Sequence, residues 1–178
     1  MRILVDTDPG LGLRYADVDD GLAMFFMLND PRLEVEGITT VFGNTPVDKG
    51  FGLVKIYLKM LDRLDIPHFR GADSKKEFHR PTDASEFIVN AIKEQPGELT
   101  LMILGPMTNI ATALHSYPSL LDDAKDIIIM GGTLSPLTLF SRVFKEMGRR
   151  FFDKLKVQGL VAEFNFAQDP QSTKEVIE

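Results

Sequence analysis

The sequence contains no cysteine, and this absence excludes disulfides, thiolate metal sites and a cysteine nucleophile. It also has no apolar run near the roughly 20 residues that a helix needs to cross a bilayer. The N-terminal stretch reaches an aspartate already at position 6, which leaves no room for the apolar region of a signal peptide. We therefore expect a soluble, cytoplasmic protein that has no membrane partner.

The sequence also has fewer positively charged residues than negatively charged ones. Lys and Arg number 20 against 26 Asp and Glu, so the formal net charge is −6. A phosphate-binding surface needs clustered positive charge, so nucleic acid is not expected as a partner. Small molecules, metal cations or other proteins remain as partners. The length of 178 residues suits one α/β domain.

Short apolar runs alternate with segments of helical periodicity along the chain. The predicted strands are 3–5, 33–41, 66–70, 99–104 and 127–130, and the predicted helices are 17–29, 47–64, 84–93 and 107–115. Asp17 is a candidate cap for the first helix. Continuous apolar strands alternating with helices predict an α/β fold, with an open, mostly parallel sheet flanked by helices on both faces.

The segment around 134–158 differs in character from the rest of the chain. Its apolar residues fall on one helical face and its basic residues cover the remainder. This pattern predicts an amphipathic helix, inserted in a single domain that spans residues 1–178. The expected role is packing on its own domain, and a lid or an oligomer contact is the alternative.

Four carboxylates stand close together near the N-terminus, namely Asp6, Asp8, Asp19 and Asp20. The first two end a predicted strand, on one side of it, and the other two begin the next helix. In a parallel α/β sheet these ends meet at the ligand crevice. Like charges repel at such short range. We therefore expect the carboxylate oxygens to bind a hard divalent cation, whose charge offsets the repulsion.

Six ordered segments of the sequence are similar to motifs of the inosine–uridine preferring nucleoside hydrolase family. They are DTDPG with DDGLA at positions 6–10 and 19–23, GITTVFGN at 37–44, IPHFRGA at 66–72, LGPMTNIA at 104–111, IMGG at 129–132, and AEFN with DP at 162–165 and 169–170. The resemblance implies a nucleoside hydrolase-like, Rossmann-related open sheet. It also implies Ca²⁺-dependent hydrolysis of the N-glycosidic bond of ribonucleosides, which releases ribose and a nucleobase.

The same resemblance assigns metal and catalytic roles. Asp8, Asp20 and the backbone carbonyl of Thr108 are implied as Ca²⁺ ligands. Asp8 is also implied as the general base that takes a proton from the attacking water. Asp6 is implied to brace the metal site through hydrogen bonds.

Substrate-binding roles follow in the same way. Asp19 and Asn44 are implied to hydrogen-bond the ribose hydroxyls. Glu163 and Asn165 are implied to reach the sugar from the other side, where Met130 lines the wall. Individually, Asn44 is also a common turn residue, and a methionine such as Met130 is more often part of a core.

The sequence departs from the family pattern in three places. Residues 11–18 intervene before the Asp-Asp pair, either as a loop that leaves Asp19 and Asp20 in register or as a disturbance of the metal site. The segment between Gly132 and Ala162 is longer than in the family, and the C-terminal portion of the family is absent. The chain is therefore expected to resemble a truncated member, which needs a homo-oligomer or a complementing C-terminal chain to complete its site.

The histidines match no family motif. His115 is expected near a helix C-terminus, where a structural role is favoured. His68 and His79 are expected in exposed loops.

The sequence is also compatible with two other functions. One is a catalytically incomplete fragment, or one part of a split enzyme, that binds a nucleoside or ribose without turnover. The other is a Mg²⁺ phosphohydrolase, since a strand that ends in Asp-x-Asp also begins that kind of site. The Pro9-Gly10 pair does not match the residues which that second class requires.

Overall fold

The computed structural model of the protein describes residues 1–132 and 163–178. The predicted amphipathic helix around 134–158 lies outside the described residues. Within them, no helix combines the length and apolar character that crossing a membrane would need.

Five parallel strands form one sheet in the order β3-β2-β1-β4-β5. They are β1 (Arg2–Thr7), β2 (Glu34–Thr40), β3 (His68–Arg70), β4 (Leu99–Ile103) and β5 (Asp126–Ile129). The all-parallel arrangement confirms the predicted fold class. In the central strand, Asp6 lies between Thr39 of β2 and Ile103 of β4.

Helices pack on both faces of the sheet, and the first four of them connect successive strands. They are α1 (Asp19–Asn29), α2 (Val47–Met60), α3 (Asp83–Glu94), α4 (Thr108–Ser116), α5 (Phe164–Gln168) and α6 (Pro170–Ile177). A short 3₁₀ turn at Lys75–Glu77 precedes α3.

The core consists of two apolar layers separated by the sheet. Successive side chains of a strand point to opposite faces, so β1 contributes to both layers. Ile3 packs with Val54 and other residues of α1 and α2, whereas Leu4 packs with Ile88 and Ile110 of α3 and α4. Burial of these large side chains fixes the position of β1, and with it the carboxylates at the end of the strand.

Two predicted helix boundaries were wrong. The first helix begins at Asp19 instead of Asp17, and its N-cap is Val18, which makes no side-chain capping bond. The backbone of Asp17 is hydrogen-bonded to Asn44 and lies outside the helix. The helix predicted to reach Leu64 ends at Met60, because Asp62 turns the chain with a φ of 55°.

The direction in which successive strands are added to the sheet reverses at β1, which creates a topological switch point at the end of this strand. The chain runs outward from β1 through β2 to β3 and then returns to the other side of β1 as β4. Loops after β1 and β4 therefore diverge and leave a crevice beyond the carboxyl ends of the strands.

Candidate active site

Asp6 is the next-to-last residue of β1 and is almost completely buried. Its Oδ1 accepts hydrogen bonds from the Thr39 hydroxyl at 2.6 Å and from the Asn109 side-chain amide at 2.8 Å. Its Oδ2 is buried and has no hydrogen-bond partner within residues 1–132 and 163–178. Burial raises the pKa of Asp6 to about 7, against the opposing effect of these two donors.

Asp8 and Asp20 lie side by side beyond the end of β1. The Asp8 backbone N–H donates to Asp20 Oδ2 at 3.0 Å, and the Thr7 hydroxyl donates to the same oxygen. Both carboxylates are buried, and desolvation raises the pKa of each, while the charge of Asp20 adds to the rise at Asp8. Closely packed buried oxygen donors of this kind fit a hard metal cation, whose charge would offset their repulsion.

Two glycines make room for the Asp8 carboxylate. A Cβ at Gly43 would lie 2.0 Å from Asp8 Oδ2, and a Cβ at Gly105 would lie 3.2 Å from Asp8 Oδ1. The backbone N–H of Asn44, the residue after Gly43, donates to Asp8 Oδ2 at 2.5 Å. The loops after β2 and β4 thus hold the Asp8 side chain from both sides.

A cleft of about 170 Å³ opens in front of these carboxylates. Seven of the residues predicted from the sequence line it, namely Asp8, Asp19, Asp20, Asn44, Met130, Glu163 and Asn165. Asp17 and Phe164 also line it and were missed. The available signals were the position of Asp17 two residues before the Asp-Asp pair and that of Phe164 inside the Glu-Phe-Asn motif. Asp6 and Thr108 are buried and are not part of the cleft lining.

The extra segment 11–18 packs against the cleft as a loop. The Asp17 N–H donates to Asn44 Oδ1 at 2.9 Å, and Asn44 Nδ2 donates back to the Asp17 carbonyl at 3.1 Å. The Tyr57 hydroxyl donates to the Leu11 carbonyl at 2.5 Å. These contacts anchor both ends of the loop, and Asp20 remains beside Asp8.

The opposite wall of the cleft comes from the residues before and at the start of α5. Glu163 accepts from the backbone N–H groups of Asn165 at 3.0 Å and Phe166 at 2.8 Å, so its carboxylate caps this helix. Asn165 Nδ2 donates to the carbonyls of Leu104 at 2.7 Å and Met130 at 3.0 Å. Asn165 therefore ties this wall to the ends of β4 and β5.

Thr108 begins α4 behind the cleft. Its hydroxyl donates to Asp169 Oδ2 at 2.6 Å, and its backbone carbonyl accepts from the Thr112 hydroxyl at 2.8 Å. Asp169 is 1% exposed and also caps α6, where it accepts from the N–H of Ser172 at 3.1 Å and from the hydroxyl of the same residue at 2.5 Å. Sequence reasoning did not assign Asp169 to the site, although the Asp-Pro pair is a recognisable helix-start signal.

The fold and the site together define an α/β protein with a buried carboxylate cluster at the switch point of a parallel sheet. The model of the inosine-uridine preferring nucleoside hydrolase family matches residues 3–178. The chain belongs to this family, as its motifs predicted.

Individual relatives agree with this assignment. The chain is 30% identical to the probable uridine nucleosidase 2 of Arabidopsis thaliana, over 75% of this chain and 48% of the relative. It is 31% identical to the pyrimidine-specific ribonucleoside hydrolase RihA of Salmonella arizonae, over 75% of this chain and 49% of the relative. The chain thus spans about half the length of these curated relatives.

A solved structure also resembles the protein. An inosine-guanosine nucleoside hydrolase superimposes with a TM-score of 0.74 at 26% identity, and the match covers 99% of this chain and 57% of the other.

Proposed function

We propose that this chain forms the metal- and ribose-binding part of a Ca²⁺-dependent nucleoside hydrolase. The reaction would cleave the N-glycosidic bond of a ribonucleoside and release ribose and a nucleobase. The observation that carries the proposal is the convergence of Asp6, Asp8 and Asp20 at the end of β1, next to a cleft that also exposes Asn44 and Glu163. Membership of the family and the names of the relatives support the same activity.

Asp8 and Asp20 are the proposed carboxylate ligands of Ca²⁺, together with the backbone carbonyl of Thr108. Oxygen donors alone suit a hard cation of this size. When bound, Ca²⁺ would supply the charge that keeps these carboxylates ionised and would polarise the attacking water. Asp6 would hold the end of β1 in place through Thr39 and Asn109.

Asp8 is the proposed general base. It would accept the proton that water loses as the water oxygen forms a bond to C1′ of the ribose. The C1′–N bond breaks, and its electron pair leaves with the nucleobase. The developing oxocarbenium character of the sugar would be stabilised by the surrounding carboxylates.

The ribose would be held between two walls of the cleft. Asp19 and Asn44 form one wall, and Glu163, Asn165 and Met130 form the other. The cleft volume of about 170 Å³ is below the range of roughly 300–1,000 Å³ that is typical of pockets for drug-sized ligands. A sugar ring therefore suits the described cleft better than a complete nucleoside, and the base would extend beyond it.

Ribose release from inosine and uridine tests the proposal. Wild-type protein is assayed with and without Ca²⁺, beside Asp8→Ala and the control Asp122→Ala, whose side chain is exposed away from the cleft. We expect Ca²⁺-dependent release in wild type and the control, and loss of release in Asp8→Ala. Release that persists in Asp8→Ala would contradict the role of Asp8 as base.

A second candidate is binding of a nucleoside or ribose without turnover. It is favoured by the small volume of the described cleft, which suits a sugar ring better than a complete nucleoside. Calcium and ribose binding without release would select this candidate. Release restored by a complementing C-terminal chain would instead indicate a split enzyme, and concentration-dependent release would indicate a homo-oligomer.

A further inference from the structure

A second cluster of metal-ligating side chains lies outside the cleft. It consists of His79, His115 and Glu175, whose ligand atoms all lie within 4.8 Å of one another. His79 follows the 3₁₀ turn, His115 is in the last turn of α4, and Glu175 is in α6. None of the three lines the carboxylate cleft. Three elements distant in sequence thus bring together two imidazoles and a carboxylate.

His79 is central to this cluster. Its Nε2 lies 2.8 Å from Glu175 Oε1 and 2.7 Å from Oε2, and its ring stacks on that of His115 with centroids 3.8 Å apart. Phe78 stacks on the other side of the ring at 3.7 Å. His79 lies in a turn, as predicted, but its ring is half-buried between these neighbours, so the prediction that it is exposed was wrong. His68 was also predicted in an exposed loop, but it lies half-buried in β3.

We propose that His79, His115 and Glu175 bind a divalent transition-metal ion such as Zn²⁺. Two imidazole nitrogens with one carboxylate are a donor set that zinc uses with a fourth position open. Nitrogen donors suit zinc and disfavour calcium, so this site and the carboxylate cleft differ in the metals that they select.

One movement is required for this binding. The two imidazole planes are only 12° from parallel, whereas each ring nitrogen directs its lone pair within its own plane. The His115 ring must therefore turn for both nitrogens to reach one ion. His115 is exposed at the end of α4, so this turn does not disrupt the core.

The bound metal would act as a clamp between α4 and α6. These helices already meet at their other ends, where Thr108 of α4 donates to Asp169 at the start of α6. A metal held by His115 and Glu175 would add a second fixed point and would stabilise the folded state by mass action. This role does not depend on nucleoside hydrolysis.

Zinc titration calorimetry at pH 8 tests the proposal, with excess Ca²⁺ present so that the carboxylate cleft is occupied by the harder ion. Histidine has an ordinary pKa of about 6.5 and binds metal in its neutral form, so this pH favours binding. The variants are His115→Ala and Glu175→Gln. The matched control is His68→Ala, because His68 lies in β3 against Phe51, outside the cluster.

We expect one Zn²⁺ per chain in wild type and in His68→Ala, and binding about tenfold weaker or more in the two cluster variants. Zinc at about a hundredfold excess over its Kd should raise the Tm of wild type by roughly 5 °C, but not that of His115→Ala. Titration with Co²⁺ in place of zinc should give the intense visible absorption of a low-coordinate nitrogen and oxygen site.

Three outcomes would overturn the inference. If wild type binds no zinc, the cluster is only a histidine–carboxylate ion pair. Zinc binding that survives both cluster substitutions would place the ion elsewhere. Binding that is lost in Asp8→Asn and kept in His115→Ala would place it in the carboxylate cleft.

Discussion

At the scale of single residues, the site depends on how closely the backbone approaches Asp8. The closest approach is at Gly43, where Asp8 Oδ2 occupies the space that a side chain would fill. Gly43→Ala should push the carboxylate away from Asp20 and weaken Ca²⁺ binding by about tenfold or more. Calcium titration calorimetry measures this change directly.

The matched control for this substitution is Gly52→Ala. Gly52 lies within α2, and an added Cβ there would meet nothing within 4 Å. Alanine is favoured over glycine inside a helix by about 1 kcal/mol, so this variant should be at least as stable as wild type. Equal calcium affinities for the two variants would show that Gly43 does not position Asp8.

The residue types of the site were predictable from the sequence, whereas several of their contacts were not. Asp8 and Asp20 were expected together because strand ends and helix starts meet at one edge of a parallel sheet. The bonds between Asn44 and the Asp17 backbone could not be predicted, since they depend on the path of an irregular loop. Glu163 was expected to face a ligand, and its second role as a helix cap became visible only in the structure.

At the scale of elements, the strands and long helices followed from apolar periodicity. The helices α5 and α6 were not predicted, because with five and eight residues each is too short to show a clear helical period of apolar residues. Asp169 joins them to α4 by a bond to Thr108 across 61 positions of sequence. Hydrogen bonds between residues so far apart in sequence depend on tertiary packing, which a local sequence pattern does not predict.

Asp169→Ala tests the importance of the contact that Asp169 makes between α4 and α6. The substitution removes the buried acceptor of the Thr108 hydroxyl and the cap of α6. We expect a loss of about 2–3 kcal/mol in the free energy of unfolding, together with weaker calcium binding as Thr108 shifts. Urea unfolding followed by circular dichroism measures the first effect, and calorimetry measures the second.

Thr82→Ala is the control for Asp169→Ala. Thr82 caps α3 through a capping box with Ser85, away from the cleft. Its loss should cost about 1 kcal/mol and leave calcium affinity unchanged. If both variants leave calcium affinity intact, Asp169 supports only the stability of the fold.

At the scale of the whole molecule, the buried carboxylates make stability depend on pH. The pKa of Asp6 is raised from 3.8 to about 7, and those of Asp8 and Asp20 are also raised. The metal-free native state therefore binds more protons than the unfolded chain above about pH 4, so its stability falls as pH rises through 7. Each such proton contributes up to about 1.4 kcal/mol per pH unit.

A series of thermal unfolding curves from pH 5 to pH 9 checks this dependence. In metal-free buffer the Tm should fall with pH, and Asp8→Asn should reduce the slope because one titrating carboxyl is removed. Saturating Ca²⁺ should flatten the curve by favouring the ionised carboxylates. A metal-free Tm that rises with pH would contradict this account. It would show that the folded protein favours the charged form of these carboxylates, although Asp6 and Asp8 are buried.

Calcium titration calorimetry on wild type, Asp8→Asn, Asp20→Asn and the surface control Asp122→Asn tests the central claim most directly, since every proposed step needs a cation held at the end of β1. We predict one Ca²⁺ per chain for wild type and the control, with affinity reduced about tenfold or more in each of the two cleft variants. Equal affinity in all four proteins, or no calcium binding by wild type, would contradict the assignment of this carboxylate cleft as the metal site.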